Sequence, residues 1–207
     1  DIPMSFKDPE ETMDINVNGT KNLLNGFKGS RFVFASSSSV YKVTNPYAES
    51  KLKDEEIIKS SGKPYTILRF FNVYGWGKMG LVVQEFLKKA LEGEELIIHG
   101  SGNQKRDFVH LSDVADANLL VSTHPDALNQ TFDVGTGIAT SLNELIGIIE
   151  EVLEKKLPKT QIERREGDLD LSVADITSIK EKTGWEPKIS LEEGMRRVYN
   201  NALKLYV

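Results

Sequence analysis

Tyr47 and Lys51 stand four residues apart in Asn45-Pro-Tyr-Ala-Glu-Ser-Lys51, just after a serine-rich run, Phe34-Ala-Ser-Ser-Ser-Ser-Val-Tyr41. On a helix, residues at this spacing share one face, a turn apart. An ammonium beside a phenol favours the phenolate and is expected to lower the tyrosine pKa from its usual ~10. That gives a base usable near neutral pH. Ser37, at the end of the preceding strand, supplies a hydroxyl for the same substrate oxygen. Ser, Tyr and Lys together form the proton-handling set of an enzyme that oxidises an alcohol by hydride transfer. Taken alone, a Tyr-x-x-x-Lys pair is most often surface decoration and a serine run is most often a loop. The strand before and the helix after favour the chemical reading.

Those elements follow from the local pattern. Asp8-Pro9-Glu10-Glu11 reads as a helix start, with Asp8 as cap, Pro9 at the first position and Glu11 closing a capping box. The helix is expected to run to about Lys28 and stop at Gly29. Arg31–Ser36 is a short apolar run of the kind that forms a buried parallel strand. Pro46 opens the next helix, which ends near Ser61 and Gly62. Tyr65–Phe71 is a further strand. This alternation predicts an α/β layered sheet. Beyond Gly75 the expected elements are a helix over Leu81–Leu91, a short strand Leu96–Ile98 and a Gly-Ser-Gly turn. A helix capped by Ser112 then runs to about Ser122, and a strand follows over Thr131–Val134. Next comes a helix opened by the capping box Ser141-Leu-Asn-Glu144 and running to about Lys156. A strand near Gln161–Arg164, a small helix over Asp175–Lys182 and a last helix opened by Ser190-x-x-Glu193 complete the chain.

Bulk composition excludes several classes. The 207 residues suffice for one large domain or two small ones, and the net charge of −5 is well mixed, with no basic stripe for nucleic acid. Absence of cysteine removes disulfide and thiol chemistry, and fits a reducing, cytoplasmic setting. His99, His110 and His124 share no ligand spacing, so no metal is expected. No apolar run is long enough to span a membrane, and the first residues lack the character of a signal peptide.

Gly75-Trp-Gly77-Lys-Met-Gly80 matches the dinucleotide fingerprint G-x-G-x-x-G, with Glu94 and Glu95 near the distance of a ribose-binding acid. The bulky Trp76 in the turn and the very short strand after it favour a glycine-rich connection between lobes instead.

Several stretches in order resemble the extended short-chain dehydrogenase/reductases, specifically the NAD-dependent sugar-nucleotide epimerase/dehydratase family. They are Asn16-Val-Asn-Gly-Thr20, Ser36-Ser-Ser-Ser-Val-Tyr41, Pro46-Tyr-Ala-Glu-Ser-Lys51, Leu68-Arg-Phe-Phe-Asn-Val-Tyr-Gly75, Arg106-Asp-Phe-Val-His-Leu-Ser-Asp-Val-Ala115, Phe132-Asp-Val-Gly-Thr136, Arg164-Arg-Glu-Gly-Asp168 and Gly184-Trp-Glu-Pro187. The resemblance implies a Rossmann-like parallel sheet with a smaller C-terminal substrate lobe. Residues 1–74 then form an incomplete Rossmann-type domain and 75–207 a sugar-nucleotide lobe, with about 107–135 returning to the first domain. The family opens with a Gly-x-x-Gly-x-x-Gly turn and a following acid for the adenosine ribose, and neither occurs here. The expectation is a chain that begins after the fourth strand of the fold. Alone it would bind NAD weakly or not at all, and it would expose a sheet edge prone to association.

The resemblance also assigns roles. Tyr47 is the base, Lys51 holds the nicotinamide ribose, and Ser37 shares the substrate hydrogen bond. Asn16, Ser36 and Phe70 join Tyr47 and Lys51 on the NAD side, although Ser36, Ser38 and Ser39 also read as ordinary strand-end residues. Asn72, Arg106 and Arg165 serve the diphosphate of a UDP-sugar, and Asp168 the nucleoside ribose. Family dehydratases carry an acidic pair where Ser38 and Ser39 stand, and a serine cannot replace a carboxylate acid. The implied activity is therefore C4 epimerisation of the UDP-glucose/UDP-galactose type through a 4-keto sugar. The alternatives are a sugar-nucleotide reductase, decarboxylase or other dehydratase, or a non-catalytic nucleotide-binding member. A homodimer is implied too, through a four-helix bundle built from about Glu10–Lys28 and Pro46–Ser60. Met13, Val17, Leu24, Ile57 and Ile58 serve that bundle or face the sheet.

Overall fold

The computed structural model describes residues 2–75, 82–165 and 167–206. The apparent fingerprint over Gly75–Gly80 therefore lies, past Gly75, outside the described residues. Helices α1 (Ile2–Lys7) and α2 (Pro9–Met13), a π-helical turn (Asp14–Asn18) and α3 (Gly19–Gly26) lead to strand β1 (Phe32–Ser37). A 3-10 turn (Ser38–Tyr41), α4 (Pro46–Ser60), β2 (Tyr65–Phe70), β3 (Asn72–Tyr74), α5 (Val82–Glu92), β4 (Leu96–His99), β5 (Lys105–Arg106) and β6 (Phe108–His110) follow. The rest comprises α6 (Leu111–Thr123), β7 (Gln130–Val134), β8 (Thr140–Ser141), α7 (Leu142–Leu153), β9 (Lys159–Ile162), β10 (Leu171–Ser172), α8 (Thr177–Thr183) and α9 (Leu191–Tyr206). The chain divides into two compact units. One is Asp1–Phe70 with Asp116–Val134 and Ile176–Trp185; the other is Phe71–Ala115 with Gly135–Asp175 and Glu186–Val207.

The first unit carries an all-parallel sheet in the order β1-β2-β7, as the α/β Rossmann-like reading expects. In register, Ser36 pairs Arg69, which pairs Asp133, while Ser37 pairs Phe70 and then Val134. Leu24, Ile58 and Ile67 pack together as core, with Phe32, Phe34 and Tyr65 against them. Each such buried aliphatic contributes about 1.5–3 kcal/mol. Leu24 and Ile58 thus face the sheet, while Met13 and Val17 are half-buried and line an open groove with Pro9 and Lys53. Arg31 closes the C-terminal end of α6 by donating to the carbonyls of Val121 and His124. A cation at that end also meets the negative pole of the helix.

The helix expected over residues 9–28 is not one continuous α-helix. Its middle widens into the π turn, and it ends at Gly26 because Phe27 turns extended and packs edge-on against Phe32, with ring centroids 5.3 Å apart. Asp8 caps it as expected, accepting from the Glu11 amide at 2.9 Å. Asn45 caps α4 by accepting from the Ala48 amide at 2.8 Å, with Pro46 in its first turn.

The second unit is built from short strand pairs around a larger core, in which Tyr74, Phe86, Leu96, Ile98, Ile146, Ile149 and Met195 are fully buried. The capping box of α7 forms in both directions, Glu144 amide to Ser141 hydroxyl at 3.1 Å and Ser141 amide to Glu144 carboxylate at 2.7 Å. α7 stops at Leu153 rather than near Lys156. Glu154 turns left-handed, and the chain folds back so that the Leu157 amide and the Lys156 ammonium both reach Glu150. Ser112 does not cap α6. The helix starts one residue earlier, and His110 Nδ1 accepts from the Ser112 amide at 3.1 Å. Burial, followed by the charge of Arg197, lowers the His110 pKa, in keeping with a neutral ring that accepts at Nδ1.

Candidate active site

In the first unit, Ser37 lies at the C-terminal end of β1 and Tyr47 and Lys51 on the first two turns of α4. Ligands of open parallel sheets bind at the C-terminal ends of strands. The Ser37 hydroxyl accepts from the Ser39 amide at 3.2 Å and lies 3.1 Å from the Ser39 hydroxyl. The Ser37 side chain also favours the ionised form of Tyr47. The Lys51 ammonium donates to the Ala35 carbonyl at 3.0 Å and sits 4.6 Å above the centre of the Phe34 ring. Sequence spacing thus places the three groups as expected.

The electrostatics correct one expectation. Lys51 Nζ is 6.0 Å from the centre of the Tyr47 ring, and the phenol is held above its ordinary pKa rather than below it. Desolvation is the largest cause; Ser37 opposes it, and the charge of Asp54 adds to it. Burial likewise lowers the Lys51 pKa, with Asp54 opposing. The residues of this unit alone therefore keep Tyr47 a neutral phenol near pH 7.

Other assigned residues take supporting places. Asn16, inside the π turn, donates to the Ser50 hydroxyl at 2.8 Å, which in turn donates to the Tyr47 carbonyl at 2.8 Å. π turns are frequent at functional sites. Phe70 ends β2 beside Ser37 in register and is half-buried. The Ser36 side chain is committed elsewhere: its hydroxyl donates to Glu55 at 2.6 Å. Glu55 has no solvent exposure and also receives Arg69 through two nitrogens, at 2.9 and 2.7 Å, and Lys59 at 3.1 Å. The Arg69 guanidinium lies 4.7 Å above the Tyr41 ring, and the Tyr41 hydroxyl donates to Asp133 at 2.7 Å. The family stretches that carry Ser36 and Arg69 gave no sign of this network, because a mid-helix glutamate has no distinctive spacing.

In the second unit, Arg106 and Asp168, expected to bind different parts of a ligand, are paired with each other. Arg106 also donates to the carbonyls of Lys105 and Leu169, both at 2.8 Å. The Asn72 side chain donates to the Asp107 carbonyl at 2.9 Å. Arg165 Nη2 reaches His99 Nε2 at 3.0 Å, and His99 Nδ1 lies 3.3 Å from the Glu163 carbonyl. A neutral His99 with its proton on Nδ1 satisfies both contacts. Such a ring orients Arg165. Asp107 is fully buried and accepts from the amides of Thr136, Gly137 and Ala174, fixing the loop after β7.

The sequence profile described as the NAD dependent epimerase/dehydratase family matches residues 1–135. This chain belongs to the epimerase/dehydratase family. Its relatives include a Methanocaldococcus jannaschii protein provisionally named a UDP-glucose 4-epimerase, 38% identical over 95% of this chain and 72% of its own length. A crystal structure of UDP-glucose 4-epimerase from Thermotoga maritima, with UDP-glucose, superposes with a TM-score of 0.91 at 31% identity, covering 100% of this chain and 75% of that one. UDP-glucuronic acid 4-epimerase from Bacillus cereus, in complex with UDP-glucuronic acid and NAD, superposes at 0.89 with 25% identity, covering 97% of this chain and 71% of that one. Among the described residues of this family member, no helix is long and apolar enough to cross a membrane, and no group of His, Asp and Glu is arranged to hold a metal.

Proposed function

We propose that the chain epimerises a UDP-sugar at C4, of the UDP-glucose/UDP-galactose type. The observation that carries this reading is Ser37 at the end of β1 with Tyr47 and Lys51 one turn apart on α4, and serines rather than carboxylates at positions 38 and 39. The residues fit the nicotinamide end of the family's cofactor. A lysine ammonium has three donors, and Lys51 gives one to Ala35, which leaves donors for ribose hydroxyls. Bound NAD supplies a cationic ring that accepts a hydride and returns it. Ionised Tyr47 takes the proton from the C4 hydroxyl oxygen while Ser37 donates to that oxygen. As the C4–H bond gives up its hydride, the C–O bond becomes a carbonyl. In the reverse sense on the other face of the sugar, Tyr47 gives the proton back.

Arg106, Arg165 and Asn72 in the second unit are the diphosphate-binding set of this reading, and Asp168, which gives up its pairing with Arg106 on binding, is its partner for the nucleoside ribose. A guanidinium suits phosphate because its fork of donors is planar and always charged. Relatives that act on UDP-glucose and UDP-glucuronate support the nucleotide half of this substrate. A homodimer through a four-helix bundle of about Glu10–Lys28 and Pro46–Ser60 completes the proposal, supported by exposed Ile15 and Leu23 in the first of these segments. Arg165→Ala is expected to weaken UDP binding by about 1.5–3 kcal/mol, the worth of a charge-assisted hydrogen bond. Titration calorimetry with UDP reads this directly. Unaltered UDP affinity in the variant would place the diphosphate elsewhere.

A further inference from the structure

Asp54 is a buried acid that the mechanism above does not use. It is 1% exposed, and neither carboxyl oxygen makes a hydrogen bond of normal geometry. An acid so placed is costly unless a charge or proton compensates it. Its position on α4 supplies the candidate: Asp54 lies three residues after Lys51 and seven after Tyr47, all on one face. The Thr20 side chain on α3 approaches it from the facing helix.

We propose that the Asp54 carboxylate is the buried counter-charge of Lys51 and a positioning residue for the Tyr47–Lys51 pair. The inference rests on the functional reading only for what that pair does, not for the charge coupling itself. Burial raises the pKa of Asp54, and Thr20 and the Lys51 charge oppose it. Asp54 in turn supports the ammonium that desolvation would otherwise discharge.

Elements packed against α4 offer few competing charges. Lys7 of α1, Glu10 and Glu11 of α2, Asp14 of the π turn and Lys21 of α3 are solvent-exposed. β1 has no charged side chain, Arg69 of β2 is committed to Glu55, and Tyr41 of the 3-10 turn bonds Asp133. Tyr65 opens β2 opposite Phe32, at the end of the sheet away from Ser37. On α4 itself, Lys53 pairs with Glu49 and Lys59 with Glu55.

The test is Asp54→Asn, with Asp54→Leu as the second variant should the amide not fold. Tyr47 ionisation is read as the ultraviolet tyrosinate titration of each protein minus that of its Tyr47→Phe counterpart. Lys51 ionisation is read as the pH dependence of its acylation, followed by peptide mass spectrometry. Loss of the carboxylate is expected to move both midpoints to lower pH by about one pH unit. A structural role without charge would leave both where they are. Any result in which the Lys51 midpoint stays in place overturns the proposal. Neither readout needs substrate, so failure here is distinguishable from failure of the epimerase reading, which only sugar conversion decides.

Discussion

Tyr47→Phe is expected to abolish most UDP-sugar conversion, lowering kcat by about 10²–10⁴-fold, while the protein folds normally. The ring keeps its place, half-covered on the first turn of α4, and only the hydroxyl whose ionised form Ser37 favours is lost. UDP affinity should be unchanged, because the residues proposed to bind the diphosphate belong to the other unit. The expected pattern is a fall in kcat with little change in binding, measured by coupled assay and calorimetry. Wild-type activity should rise with pH through Tyr47 ionisation, since the base form is the active one and burial holds the phenol up. That rising limb should be missing in the variant. A variant with near wild-type kcat would remove Tyr47 from the chemistry.

Glu55→Ala is expected to be the most damaging substitution for stability in the first unit. It leaves Arg69, only 18% exposed in its side chain, without the carboxylate that receives two of its nitrogens. Breaking a buried pair by removing one partner costs about 3–5 kcal/mol, readable as a lower midpoint in urea unfolding. Ser36 loses its acceptor as well, so the end of β1 loosens next to Ser37. The pH dependence has a definite sign. Desolvation pushes the Glu55 carboxyl up, but hydrogen bonds from Arg69 and Ser36 outweigh it and hold the pKa below its ordinary value. Such a group adds stability that is complete above the unfolded pKa of about 4.3 and lost as pH falls through the lower folded value. Wild type should therefore lose stability relative to Glu55→Ala on acidification below about pH 4.3.

The parallel sheet and its helices were readable from the sequence because apolar runs and caps are local signals. Asp8 caps where its spacing says it should, and the Ser141–Glu144 box forms in full. The features that escaped depend on partners distant in the chain. Glu55 gains its meaning from Arg69 and Ser36, and His99 from Arg165. The π turn around Asn16 interrupts a helix with no local sign in the sequence that it would. Likewise, the sign of the Tyr47 shift depends on how far burial outweighs a lysine on the same helix, which spacing alone does not reveal.

One measurement reaches the central claim most directly. UDP-galactose carrying deuterium at C4 is incubated with the protein and NAD in ordinary water, and the UDP-glucose formed is analysed by mass spectrometry. If Tyr47 moves only the hydroxyl proton while the C4 hydride leaves and returns, the product keeps its deuterium. Product in which C4 deuterium has exchanged with water would contradict the account.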